Sequence, residues 1–267
     1  AVEDPGFTGI LDLVMSRGLS LVPVEIDEEG PLPERLQRAC AEGARAFIVT
    51  PRVQSPTGAA LSEARARELR RVLRGAPDLL VIEDDHANRI ANTPLFCLHD
   101  AKRARWAHVH SFSKSINPDL RMALMTGDDH TMARVQDRLI IGERWVSHLL
   151  QRIAYALLSD AGVRKHLRRA AATYTRRREA LLGALRGAGF SPWGRSGYNV
   201  WVRVAEETST VQALAAAGWA VSAGERFRLG SPPAIRITAS TLEPEEAKRY
   251  ASDLAAALGR SPQTATV

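Results

Sequence analysis

Apolar residues recur along the chain at two alternating periods. Phe7, Ile10, Leu11 and Val14 fall at helical spacing, and Gly18 ends that run. Ser20 to Glu25 reads as a strand. Pro33 to Ala41 reads as a helix with Leu36 and Ala39–Cys40 on one side. Ala46 to Val49 is a short continuous apolar run, as expected of a strand buried on both faces. Ser62 is placed to cap a helix reaching Arg74, whose inner face is Ala66, Leu69, Val72 and Leu73. Three more strands are predicted at Leu79–Ile82, Trp106–His110 and Met122–Thr126. Helices and apolar strands thus alternate through about residue 126, which predicts an α/β layer with a mostly parallel sheet.

The pattern then changes. From Thr131 to about Leu185 it is helical with brief interruptions. Beyond that, strands are predicted at Val200–Val202, Trp219–Ser222 and Ala234–Thr238. Helices are predicted over Thr210–Ala217 and Glu243–Leu258, the latter with Pro244 in its first turn. The expected organisation is a large domain over residues 1–158, then a linking helix and a small α+β domain over 159–267, with a polar tail from Ser261. The chain opens directly on a strand end and a Pro-Gly turn, without Met, so it is expected to be a fragment.

Composition narrows the function classes. Of 267 residues, 45% are hydrophobic and 25% charged, which excludes a largely disordered chain. No apolar run approaches the ~18 residues of a membrane helix, and the first twenty residues are too charged for a signal peptide. Two cysteines, Cys40 and Cys97, make no disulfide framework, so a cytoplasmic location is expected. The net charge is +6. Residues 164–186 hold eight Lys or Arg against one Glu, so the excess sits on one helical segment. Val163, Leu167, Ala170, Tyr174, Leu181 and Leu185 mark its inner side, and its basic side is expected to face solvent.

In open parallel sheets, ligands bind beyond the C-terminal strand ends. Three such ends carry chemistry. After Val49 comes Thr50 to Gly58, including Ser55-Pro56-Thr57-Gly58. After Ile82 comes Glu83-Asp84-Asp85-His86. After His110 comes Ser111-Phe112-Ser113-Lys114, with Arg121 seven residues beyond the lysine. No metal site is expected. The four residues Glu83 to His86 are adjacent and cannot all converge on one ion, no second histidine is spaced to help, and the cysteines lack ligand spacing.

These segments, with Pro118-Asp119-Leu120-Arg121, Glu3-Asp4-Pro5-Gly6-Phe7 and Ala234-Ile235-Arg236-Ile237, resemble class I/II aminotransferases of fold type I, which use pyridoxal 5′-phosphate (PLP). The resemblance is closest to the aminotransferase-like domain of MocR-type regulators in the GntR family, which join it to an N-terminal winged helix-turn-helix. It implies that Lys114 bonds the PLP aldehyde and that Asp84 holds the pyridine nitrogen protonated, with Asp85 the competing candidate. Arg121, Ser111 and Ser113 would hold the phosphate, Phe7 would stack on the ring, and Arg236 would clamp a substrate carboxylate.

Two positions depart from the enzyme pattern. Ser55 stands where Asn is usual, and His86 where Tyr is common; both face the cofactor's phenolic oxygen and bear on turnover more than on binding. The resemblance also implies that the first large-domain strand and a glycine-containing phosphate loop precede Ala1. The expected function is the effector-sensing domain of a regulator that takes an amino acid or amino compound, forms a homodimer when intact, and meets DNA through a domain outside these residues. A free-standing aminotransferase acting between an α-amino acid and a 2-oxo acid is the alternative. A nucleic-acid module using the Arg-rich helix is a distant third.

Overall fold

A computed structural model describes residues 1–100, 102–142 and 144–259. The polar tail from Ser261 lies outside them. The alternating pattern becomes a seven-stranded sheet made of β1 (Val2–Asp4), β2 (Pro23–Asp27), β3 (Gly30–Pro31), β4 (Ala46–Val49), β5 (Leu80–Asp85), β6 (Trp106–Ser111) and β7 (Ala123–Gly127). The spatial order is β3-β2-β1-β4-β5-β6-β7. The inner pairings are parallel, and only the two outermost, β2–β3 and β6–β7, are antiparallel. The parallel strands therefore end together at one edge.

Helices α1 (Thr8–Ser16), α2 (Pro33–Ala41) and α3 (Glu63–Arg74) connect the strands. The two latter helices insert Leu36, Ala39, Ala66, Leu69 and Leu73 against Val24, Phe47, Val49 and Val81 of the sheet. Ser62 caps α3 as its position predicts, its side chain accepting from Arg65 N at 3.0 Å.

Strand β5 runs three residues further than its apolar run. The reason lies in the partners of its acids. Glu83 and Asp85 point to one face of the sheet, where backbone amides and an arginine satisfy them, so strand geometry continues through Asp85 rather than giving way to a turn.

The long helical stretch divides into α4 (Asp129–Ile141), α5 (His148–Ser159) and α6 (Ala161–Gly187). Asp128 and Asp160 cap α4 and α6, accepting from Thr131 N and Val163 N. The face of α6 is mixed rather than uniformly solvated. Lys165, Arg168, Arg169, Arg176 and Arg186 are exposed. Arg178 is buried, and its Nη1 donates to Gly197 O at 2.8 Å. Arg177 donates to Ser240 O and pairs with Glu243. Part of the expected outer charge thus ties the helix to the segments it crosses.

A second sheet, ordered β8-β10-β9, comprises β8 (Asn199–Arg203), β9 (Ser222–Ala223) and β10 (Ala234–Thr238). Helices α7 (Glu207–Ala216) and α8 (Ala247–Ala257) and the end of α6 cover it, closing a core around Leu181, Leu185, Val200, Leu214, Ile235, Tyr250 and Leu254. The strand predicted at Trp219–Ser222 shrinks to two residues. Gly218, at φ 90°, turns the chain out of α7, and Trp219 then packs on Tyr250 and donates Nε1 to Asp253. The packing of the half-buried Trp219 and Val221 against the small-domain core, rather than a longer strand pairing, accounts for the apolar run.

The two sheets are joined close to the strand ends. The Asp4 carboxylate accepts from the amides of Leu229, Gly230 and Ser231 and from Ser231 Oγ, all at 2.8–2.9 Å. Ser196 N donates to Gly58 O, and Ser196 Oγ accepts from Val53 N. Gly197 sits at φ 69° directly against the Val53 side chain, where a β-carbon would lie 2.2 Å from Val53 Cγ1.

Candidate functional site

Side chains alternate along a strand, so β5 addresses both faces of the sheet. Glu83 and Asp85 point one way and Asp84 the other. Asp85, fully buried, accepts from Arg52 Nε at 2.9 Å and Nη2 at 2.8 Å, and the third nitrogen, Nη1, donates to Thr93 O. Asp84 has no such clamp among the described residues; it meets His86 Nδ1 at 4.0 Å. Of the two carboxylates left open as cofactor partners, Asp85 is committed to an internal ion pair and Asp84 is available.

Burial pushes the Asp84 carboxyl above its ordinary range, an effect that His86 opposes and Asp85 reinforces. Burial pushes the His86 imidazole down, Asp84 works against that, and the Lys114 ammonium works with it. His86 thus feels the charge of both Asp84 and Lys114. Lys114 itself is exposed, just beyond the end of β6.

Ser111 is the last residue of β6. Its Oγ accepts from Ser113 N at 3.3 Å, and its carbonyl accepts from Asn88 Nδ2 at 2.8 Å. Asn88 therefore braces the β6 end from the segment that follows β5, a role that reading outward from apolar runs does not reveal. Arg121 caps the 3-10 turn Pro118–Leu120 in the left-handed region, at φ 44° and ψ 44°, and its side chain is exposed. A bulky residue held there costs about 1–2 kcal/mol relative to a right-handed conformation.

Three predicted residues come from other segments. Phe7, at the start of α1, is 47% exposed, free to present its ring to a ligand. Ser55 lies half-buried in the loop after β4. Arg236 lies on β10, where Nη2 donates to Ser222 Oγ at 3.0 Å and the guanidinium sits 4.8 Å over the Phe227 ring. The Phe227 carbonyl in turn accepts from Gly6 N, which links the residue under the Arg236 guanidinium to the turn carrying Phe7. Arg236 Nε is buried without a partner among the described residues, and burial lowers the arginine's pKa. A half-buried guanidinium with spare donors suits an incoming carboxylate. Tyr198, whose phenol burial pushes up, lies within charge range of Arg236 and stacks edge-on with Tyr174; nothing in its sequence context marks it.

The opposite face of β5 and β6 holds a second polar group. Glu83 pairs in register with His108, and Asp85 with His110. The Glu83 carboxylate accepts from Leu98 N at 2.6 Å and contacts the His99 ring. Burial acts to raise its pKa, but His108, His99 and the Leu98 amide prevail and hold it down to about 2. The neighbouring Cys97 and then Glu83 push His108 up to about 10.

The α-aminoadipate aminotransferase LysN of Thermus thermophilus, solved with N-(5′-phosphopyridoxyl)-L-leucine, superposes with a TM-score of 0.84 at 22% identity over 97% of this chain and 70% of that one. The fold is that of the fold-type-I, PLP-dependent transferases. The family model for aminotransferase class I and II matches residues 1–254, and the chain belongs to that family. The family's cofactor is PLP, and the donor set fits: the unclamped Asp84 lies one residue before the end of β5, Ser111 ends β6, and Ser113, Lys114 and Arg121 follow it.

Among curated relatives, the vitamin B6 salvage pathway transcriptional repressor PtsJ of Salmonella typhimurium is 38% identical over 262 residues. The regulator TauR of Rhodobacter capsulatus is 28% identical over 202 residues. The alignments take in 97% and 74% of this chain but only 61% and 40% of those proteins.

Proposed function

We propose that these residues form the PLP-binding, effector-sensing part of a longer transcription regulator of the MocR type. The observation that carries this is the 38% identity with PtsJ across 97% of the chain. Lys114 would bond the cofactor aldehyde, with loss of water, and Asp84 would hold a proton at the pyridine nitrogen. Arg121, Ser111 and Ser113 would bind the phosphate, Phe7 would cover the ring, Ser55 and His86 would serve the phenolic oxygen, and Arg236 would hold the carboxylate of an amino compound. PLP, when bound, supplies the electrophilic carbon and the electron-withdrawing ring.

In this reading the large PLP-binding domain is residues 1–158, and the linking helix and small domain are residues 159–267. The intact protein is a cytoplasmic homodimer. Exposed Leu139, Ile140 and Ile141 of α4, Trp145 just before α5, and Leu149 and Tyr155 of α5 support a partner copy. Among the described residues no helix is long and apolar enough to cross a membrane. DNA is met by a domain elsewhere in the longer protein.

A second reading, turnover as an aminotransferase, is favoured by the joint presence of Lys114, Asp84, Arg121 and Arg236. Titration with PLP tests the binding site. The wild-type chain is expected to develop the absorbance of lysine-bound PLP, and Lys114→Ala is not. Equal uptake by both overturns the lysine assignment. A panel of amino acids added to the loaded protein then separates the readings. Conversion to the pyridoxamine form supports the enzyme. PLP-dependent operator binding by the full-length protein, with no such conversion, supports the regulator.

A further inference from the structure

We propose that Glu83, Cys97, His99 and His108 form a closed, tetrahedral site for Zn²⁺, on the sheet face opposite Asp84. One ligand atom from each of these residues lies within 4.8 Å of all the others. A tetrahedral zinc ion with bonds of about 2.0–2.3 Å sets its ligands roughly 3.3–3.8 Å apart, so about 1 Å of contraction completes the site.

The site is not a chance surface cluster. β5 and β6 bring Glu83 and His108 together as register partners. The segment after β5 returns beneath them, with Leu98 N and His99 N both aimed at the Glu83 carboxylate. The His99 ring is fixed by stacking on Trp106 at 3.9 Å with the planes 2° apart. Such outer contacts are what orient metal-binding imidazoles and carboxylates. His108 Nδ1 is buried 3.9 Å from Glu83 Oε2 and has no hydrogen-bond partner among the described residues.

The donor set selects the ion. One sulfur, two imidazole nitrogens and one carboxylate oxygen suit zinc, whereas Ca²⁺ and Mg²⁺ require oxygen shells. The charges cancel: two positive on the ion against thiolate and carboxylate, with both imidazoles neutral. The thiol proton and any imidazolium proton leave to solvent as the metal–ligand bonds form. Four protein donors leave no open position, so the ion is structural rather than catalytic. It would pin the connection between β5 and β6 to both strands, one residue from Asp84.

The test loads purified protein with Zn²⁺, dialyses it against metal-free buffer and measures bound metal. Wild type and Cys40→Ser are expected to keep one ion per chain and to melt at a higher temperature with zinc than without. Cys97→Ser and His108→Gln are expected to bind at least ~10-fold more weakly and to lose the shift. Co²⁺ in the wild type is expected to show tetrahedral visible absorption with a sulfur charge-transfer band. Failure of wild type to retain zinc, a cobalt spectrum without the sulfur band, or retention unaffected by both Cys97→Ser and His108→Gln overturns the site. Circular dichroism identifies an unfolded variant, and the wild-type cobalt spectrum decides the question even if both variants unfold.

Discussion

Arg52 grips the carboxylate of Asp85 through two parallel hydrogen bonds, while Asp84, its neighbour in the chain, faces the other way without such a grip. That pairing ties down one acid in a run of three and leaves its neighbour open for the proposed cofactor contact. Removing the guanidinium leaves Asp85 buried and unpaired, so Arg52→Ala is expected to cost about 3–5 kcal/mol. Replacing both partners with apolar residues is expected to recover much of that loss. Urea denaturation of the two variants checks it, and equal stabilities would refute the pairing's importance.

Glu3 gives the clearest pH dependence. It is fully buried, its Oε1 has no partner among the described residues, and burial pushes its carboxyl from an ordinary 4.5 to about 8, against hydrogen bonds from Thr50 and Gln54. Between those values the folded chain holds a proton that the unfolded chain has released. Stability from this group is therefore greatest below about pH 4.5 and declines as pH rises towards 8. Glu3→Gln is expected to flatten that decline, measured as urea midpoints from pH 5 to 8. Parallel wild-type and variant curves would contradict it.

Arg121 combines an unfavourable backbone with a proposed phosphate contact. Glycine relaxes the backbone but removes the donor. Arg121→Gly is expected to hold stability within about 1 kcal/mol of wild type. The loss of charge-assisted hydrogen bonds worth about 1.5–3 kcal/mol should weaken PLP binding roughly 10–100-fold. Thermal melts and PLP titration measure the two effects separately. Unchanged PLP affinity would remove Arg121 from the site.

Asp128 joins two elements, accepting from Thr131 N at the start of α4 and from Trp106 N at the start of β6. Asp128→Ala is expected to lose about 0.5–2 kcal/mol, as other helix caps do, and Asp128→Asn less. Hydrogen exchange at the Thr131 and Trp106 amides should quicken in the alanine variant.

Much of the architecture was legible because the two hydrophobic periods differ so plainly. Pro33–Ala41, Ala46–Val49 and Ala234–Thr238 fall on their predicted bounds. The segments carrying Asp84, Ser111, Lys114 and Arg121 could be located because they follow apolar runs. What escaped depended on contacts between distant residues. The strand character of Glu83–Asp85 requires Arg52 and the Leu98 amide, neither visible from the acids themselves. Glu83, Cys97, His99 and His108 converge only once β5 and β6 are set side by side. Period-2 alternation through Glu83 and Asp85, matched to His108 and His110, was the available signal. It needed the register to be read. The buried Arg178 was hidden in the same way, since its acceptor is a carbonyl on another segment.

Asp4 carries one more consequence. Its four short hydrogen bonds fasten the end of β1 to the loop before β10. Ser196, bonded to Gly58 and Val53, fastens the sheets at a second point, so a swing of the small sheet that preserves both sets of bonds must turn about the line between them, with Asp4 as one pivot pin. Motions that slide the sheets past each other would have to unfasten it first.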